Sequence, residues 1–102
     1  MRPIPLNPET TALARRLVWF DSPQDALADP VRFMAYVLAH ATIADLAIVR
    51  RYVTEEEFRE ALDRAPPGII DPRSWSYWHA RLGRYPPPRM PRRRLDEGAQ
   101  DP

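Results

Sequence analysis

Few side chains in this 102-residue chain are suited to acid–base or metal chemistry. His40 and His79 are its two imidazoles, and it contains no cysteine, which excludes disulfides and zinc–thiolate sites. A metal site would need both histidines and a third ligand to converge, and nothing in their spacing demands this. A Gly-rich phosphate loop, a nucleophile elbow and an HExxH motif are all absent. We therefore predict a protein that is not an enzyme and holds no metal or cofactor.

The basic residues indicate binding instead. The formal charge of the chain is +1, and all fifteen basic residues are arginine. Eight of them fall between Arg64 and Arg94, where Asp71 is the one acid, so this segment carries +7 while each flanking part carries −3. The planar guanidinium of arginine suits carboxylate and phosphate partners. The asymmetry therefore predicts a binding surface for an acidic protein or for nucleic acid.

Helix-start signals recur along the chain, and no strand pattern of period two appears. At three predicted helix starts a capping residue stands directly before a proline, which is the favoured order at a first helical turn. Two further sites have capping-box spacing, with an acid three residues after a threonine. These starts are Asn7-Pro8, Asp29-Pro30, Asp71-Pro72, Thr42 with Asp45, and Thr54 with Glu57. We therefore predict an all-α fold, a compact array of four to five short helices joined by short loops.

The apolar residues predict where the core lies. Residues 30–40 are apolar nearly all round, which is typical of a central, buried helix. Trp75 and Trp78 fall on one face of the last predicted helix, and we expect both indoles to pack against the central helix. The alternative is a partner-binding ridge, since tryptophan is enriched in interface hot spots. We expect the Trp19-Phe20 pair to lie in a turn that places both rings in the core.

The chain ends in a segment rich in proline and arginine. We predict a single helical domain over residues 1–85 and an extended or disordered Pro/Arg-rich tail over residues 86–102. The longest apolar stretch is too short to span a bilayer, and the first residues do not form a secretory signal. We expect a cytoplasmic protein without membrane contact, and the sequence leaves its oligomeric state open.

Candidate partner contacts lie in and after the last predicted helix. Tyr77 points away from the tryptophan stripe, so we expect it to act as a surface aromatic anchor together with Tyr85. The arginines around them supply the charge for an acidic partner. The predicted contact residues are Tyr77, Arg81, Arg84, Tyr85, Arg89, Arg92, Arg93 and Arg94.

The order of the motifs resembles a known family. In chain order, the shared features are Trp19-Phe20-Asp21, an Asp-led helix from Asp29 to Thr42, a run from Asp45 to Tyr52, an acidic helix from Glu55 to Leu62, and Ile70-Asp71-Pro72-Arg73-Ser74-Trp75 followed by Trp78 and Gly83. Over residues 17–84 the chain resembles a family of small uncharacterised bacterial helical proteins often found beside AbiEii-like nucleotidyltransferase toxins. The family pattern often has glycine within the segment occupied here by residues 39–42. The resemblance implies an antitoxin or accessory role and supplies no catalytic residues.

Three functions follow from these observations. The leading hypothesis is a small protein-interaction module, an antitoxin-like protein that binds a nucleotidyltransferase-type toxin. The alternative is a nucleic-acid-binding regulator that uses the basic segment over residues 64–94. A recognition helix beginning after Thr54 is disfavoured because three glutamates occupy its first turn. An enzyme would need His40 or His79 as its acid–base group.

Overall fold

The computed structural model describes residues 1–91, and within them it contains helices and no strand. The all-α prediction is therefore confirmed, with one helix more than expected. The helices are α1 (Pro8–Leu17), α2 (Pro23–Ala28), α3 (Pro30–His40), α4 (Ile43–Val49), α5 (Glu55–Asp63) and α6 (Pro72–Arg81). Residues 92–102, which include the predicted contacts Arg92, Arg93 and Arg94, lie outside the described residues.

Each of the six helices is preceded by a capping residue. The side chain of this residue accepts a hydrogen bond from the backbone amide three residues later. The predicted starts of α1, α3, α4, α5 and α6 are confirmed. The helix that the sequence analysis did not predict, α2, uses the same device, because Ser22 caps it and Pro23 is its first residue.

The expectation that Trp19 and Phe20 enter the core is wrong. Their exposed fractions are 77% and 47%. Helix α1 ends at Leu17, and the next residue, Val18, fills the core position with no exposed surface. Phe20 instead packs edge-on against the Tyr36 ring, with 5.4 Å between centroids. The two aromatics therefore lie on the surface between α1 and α2.

Helix α3 is the centre of the fold. It contacts α1, α2, α5 and α6. Its residues Phe33, Met34 and Ala35 are at most 1% exposed. A helix surrounded by four others must be apolar on several sides, which is the pattern its sequence shows.

The two tryptophans of α6 belong to the core, so the alternative of an exposed ridge is wrong. Trp75 is 5% exposed and Trp78 is 4% exposed. The Trp78 indole packs near Phe58 of α5, and its N–H donates to the Leu38 carbonyl of α3 at 2.8 Å. The Trp75 N–H donates to the Pro88 carbonyl at 2.7 Å. Both rings thus bury their apolar surface and satisfy their one donor.

The described part of the predicted tail returns to the helical body. Residues 86–91 have no helix, but the Pro88 carbonyl accepts from Trp75, and Met90 packs against the core. Gly83 precedes this segment with a φ of 81°, a left-handed conformation that ends α6 and that glycine adopts without strain.

The contrast between buried and exposed tryptophans is testable by substitution. We expect Trp78→Ala and Trp75→Ala each to lower the free energy of unfolding by about 3–5 kcal/mol, because each leaves a large cavity. Trp19→Ala is the matched control and should change it by less than about 0.5 kcal/mol, as is usual for a surface substitution. Urea unfolding followed by circular dichroism measures all three. A loss from Trp19→Ala equal to that from Trp78→Ala would contradict this packing.

Candidate functional site

A groove lies on the surface between α4 and α6. It consists of two cavities of about 370 and 380 Å³ that share Ile43, Leu46, Tyr77 and Trp78 in their walls. Because these four residues line both cavities, the two adjoin each other, and we call them together the α4–α6 groove. Trp78 is its buried floor, and Ile43 and Tyr77 stand at its edges.

The groove exposes large apolar side chains. Ile43 is 88% exposed and Tyr77 is 55% exposed. The Tyr77 ring packs edge-on against Trp78, with 5.3 Å between centroids, so wall and floor form one aromatic pair. Single exposed apolar residues are ordinary on protein surfaces. Here they adjoin one another around a concave surface, which is typical of a binding site.

The charges lining the groove are all positive. Arg50, Arg73 and Arg81 lie in its walls, and no acidic residue does. Within residues 1–91, none of the three forms an ion pair. The Arg50 guanidinium lies 5.1 Å from the centroid of the Phe58 ring, a cation–π contact that holds it at the edge. The groove therefore combines an apolar floor with a cationic border.

A buried acid fixes the α4 wall. Asp45 is 2% exposed, and its carboxylate accepts from the Thr42 amide at 3.0 Å, closing the capping box of α4. The same carboxylate binds the Arg16 guanidinium of α1, with 3.2 Å between Nη1 and Oδ2. Hydrogen bonding to Arg16, followed by bonding to Thr42, lowers the pKa of Asp45. One side chain thus starts α4 and ties it to α1, which sets where Ile43 and Leu46 lie.

The structure divides the predicted contact residues. Tyr77 and Arg81 meet in the groove. Arg84 forms an ion pair with Asp63 and lines a separate polar depression beside α5. Tyr85 is 79% exposed and Arg89 is exposed, and neither lines the groove. Of the predicted contacts within the described residues, the groove therefore contains Tyr77 and Arg81, and the other three lie outside it.

Sequence reasoning missed the contribution of α4. Ile43, Leu46 and Arg50 belong to the groove, yet none was among the predicted contacts. One local signal was available: Ile43 follows the Thr42 cap directly, and the first turn of a short helix is often solvent-exposed. The proximity of α4 to α6 is a tertiary feature that no spacing along the chain indicates.

The histidines occupy different environments. His40 is exposed at the end of α3, whereas His79 has no exposed surface and packs 4.4 Å from the Trp75 ring centroid. Neither ring nitrogen of His79 has a hydrogen-bond partner among the described residues. Burial, and then repulsion by Arg84, lowers the pKa of His79, although Asp63 opposes this. Across residues 1–91, no three His, Asp or Glu side chains are placed to hold a metal ion.

Comparisons of the chain with protein-family models, curated proteins and solved structures returned no match. None of the helices in residues 1–91 is long and apolar enough to cross a membrane.

The buried imidazole predicts how stability depends on pH. The pKa of His79 is lowered from 6.5, so the unfolded chain takes up a proton first as the pH falls. The free energy of unfolding should therefore decrease as the pH drops below about 6.5. His79→Leu should remove this decrease and raise stability at pH 7 by about 1–3 kcal/mol, because no buried polar nitrogen is left unpaired.

Urea unfolding between pH 7 and pH 5 measures the effect, and His40→Gln is the control at an exposed imidazole. A wild-type protein equally stable at both pH values would contradict the prediction. So would a slope that His40→Gln abolishes and His79→Leu retains. The carboxylates with lowered pKa, Asp45, Glu57, Glu60 and Asp71, act in a separate and more acidic range.

Proposed function

We propose that this chain is a non-catalytic protein-interaction module that binds its partner in the α4–α6 groove. The observation that carries the proposal is the exposed pair Ile43 and Tyr77 around the buried Trp78 ring, bordered by arginines. Aromatic residues and arginine are enriched in protein–protein interfaces, and hot spots are often tyrosine, tryptophan or arginine. The exposed apolar surface of Ile43 and Tyr77 supplies affinity on desolvation, and charges at the border of the groove supply orientation.

The chemistry of the groove supports binding rather than catalysis. No histidine, aspartate or glutamate lines it. Arginine stays protonated in proteins and has no acceptor, so its guanidinium does not serve as a general base at neutral pH. The buried His79 lies outside the groove, without contact to solvent.

The family resemblance extends the proposal to a partner. It covers residues 17–84, which include both helices of the groove. On that basis the partner is a nucleotidyltransferase-type toxin in the bacterial cytoplasm, and the chain binds and restrains it as an antitoxin. Binding in the groove places the toxin against α4 and α6.

A nucleic-acid-binding regulator is the second candidate. Arg73, Arg81 and Arg89 are exposed, and within residues 1–91 they form no ion pair, which is the observation that favours it. Phosphate contacts by these arginines would give a slope of log K against log salt of about −0.9 per contact on duplex DNA. The apolar Ile43 has no group that hydrogen-bonds phosphate, so its substitution separates the two candidates.

Affinity capture with matched variants tests the proposed function. The tagged full chain is expressed in its native host, and bound proteins are quantified by mass spectrometry. We expect Ile43→Asp and Tyr77→Ala to lose the captured partner while the melting temperature changes little. Ile43 is 88% exposed, and an acid at the start of a helix is favourable.

The control is Leu6→Asp, which alters an apolar residue that is 56% exposed and outside the groove. Capture should be retained in this variant. If the same proteins were recovered with Ile43→Asp as with wild type, or if Leu6→Asp lost them equally, the groove would not be the binding site. Capture of nucleic acid by wild type and by Tyr77→Ala alike would favour the second candidate.

A further inference from the structure

We infer that the α4–α6 groove binds an amphipathic α-helix with acidic residues beside its apolar face. This inference rests on the proposed function and adds the chemical class of the partner segment. Length, apolar pattern and charge each support it.

The length of the groove suits a short helix. Its walls are α4, with seven residues, and α6, with ten residues. At a rise of 1.5 Å per residue, these walls are about 10 and 15 Å long, so two to three turns of a bound helix span them. A peptide that binds as an added β-strand would need a strand edge for its backbone groups, and residues 1–91 contain no strand. A helix satisfies its own backbone hydrogen bonds, so it needs only side-chain contacts.

The apolar residues of the groove form a strip. Ile43 and Leu46 lie three positions apart on α4, Tyr77 faces them from α6, and Trp78 closes the floor. Small residues line the groove as well, Ala39 and Ala41 in one cavity and Ala47 of α4 in the other. A strip of this form accepts apolar side chains at positions i, i+3 or i+4, and i+7 of a partner helix.

The charges select an acidic partner. Arg50, Arg73 and Arg81 contribute three positive charges, and no acidic residue lines the groove. On the α5 side of the molecule the arrangement is different, because Arg59 pairs with Glu55 and Glu56, and Arg64 pairs with Glu60. Those arginines are already neutralised by neighbouring acids. The groove arginines have no such partner within residues 1–91, so an incoming helix with Asp or Glu beside its apolar face provides it.

Selection from a random peptide library tests the inference without assuming a partner. Peptides of about 16 residues, roughly four helical turns, are displayed and selected on the full-length protein. We expect the selected peptides to be net negative, with apolar residues at i, i+3 or i+4, and i+7, and to become helical on binding. Tyr77→Ala should weaken the binding of the best peptide about 30-fold, as loss of a hot-spot anchor does.

A charge reversal provides the matched control. The variant Arg50→Glu, Arg73→Glu, Arg81→Glu should lose the acidic peptide and bind the same peptide with its acids replaced by lysine. Selected peptides that are basic or proline-rich, or whose binding is unchanged in Tyr77→Ala, would overturn the inference. Preferential binding of duplex DNA over every selected peptide at near-physiological salt would overturn it as well.

Experiments also test two alternative occupants of the α4–α6 groove, the chain's own acidic terminus and a second copy of the protein. The chain itself carries Asp96, Glu97 and Asp101 near its end. If neutralising these three acids in the full chain shifted the NMR signals of Ile43 and Tyr77, the groove would hold the protein's own terminus and the inference would be wrong. Sedimentation that shows a dimer abolished by Ile43→Asp would assign the groove to a second copy and would also overturn it.

The inference and the proposed function can fail separately. If protein capture depends on Ile43 but the selected peptides are basic, the groove is an interface and its partner is not an acidic helix. If acidic helical peptides bind in the groove but capture from the host is unaffected by Ile43→Asp, the groove is competent for such a ligand and the proposed function fails.

Discussion

The hydrogen bond from the Trp78 indole to the Leu38 carbonyl is the interaction on which the surface of this protein depends. Leu38 lies in the last turn of α3, where a carbonyl has no partner within the helix. The bond is 2.8 Å long and buried, so it satisfies this carbonyl with a donor from α6. Because the indole also packs near Phe58, it joins α3, α5 and α6 at one point. Its direction fixes the rotation of α6 about its own axis.

That rotation determines which residues of α6 reach solvent. With Trp75, Trp78 and His79 directed inward, the neighbouring Tyr77 must point outward, and the exposed Arg73 and Arg81 flank it. Helix α4 is positioned independently, through the bond of Asp45 to Arg16. The groove is the space left between two helices that are each anchored elsewhere, α4 on α1 and α6 on α3. Arg73 and Arg81 are therefore exposed and available for a partner, whereas Arg50 also contacts the buried Phe58 ring.

Local chemistry allowed most of the fold to be predicted, and tertiary contacts explain the rest. A capping side chain and a following proline act within one turn, so starts such as Asp29-Pro30 are readable from sequence. The same signal stands at Ser22-Pro23, but the nearby Trp19 and Phe20 led us to predict a turn there instead of a helix. In the site, Tyr77 was predictable from helical periodicity. The ion pair of Arg84 was not predictable, because its partner Asp63 lies far away in sequence, on α5. The place of Ile43 in the groove was not predictable either, because it depends on where α4 packs.

Hydrogen exchange of the three indole N–H groups tests the central role of Trp78 most directly. The groups give separate NMR signals and differ in environment, with Trp78 bonded in the buried core, Trp75 bonded to Pro88 at a part-buried site, and Trp19 77% exposed. We predict that the Trp78 proton exchanges only on global unfolding, that the Trp75 proton exchanges faster, and that the Trp19 proton exchanges at the rate of an unprotected indole. A Trp78 proton that exchanges as fast as that of Trp19 would contradict the account.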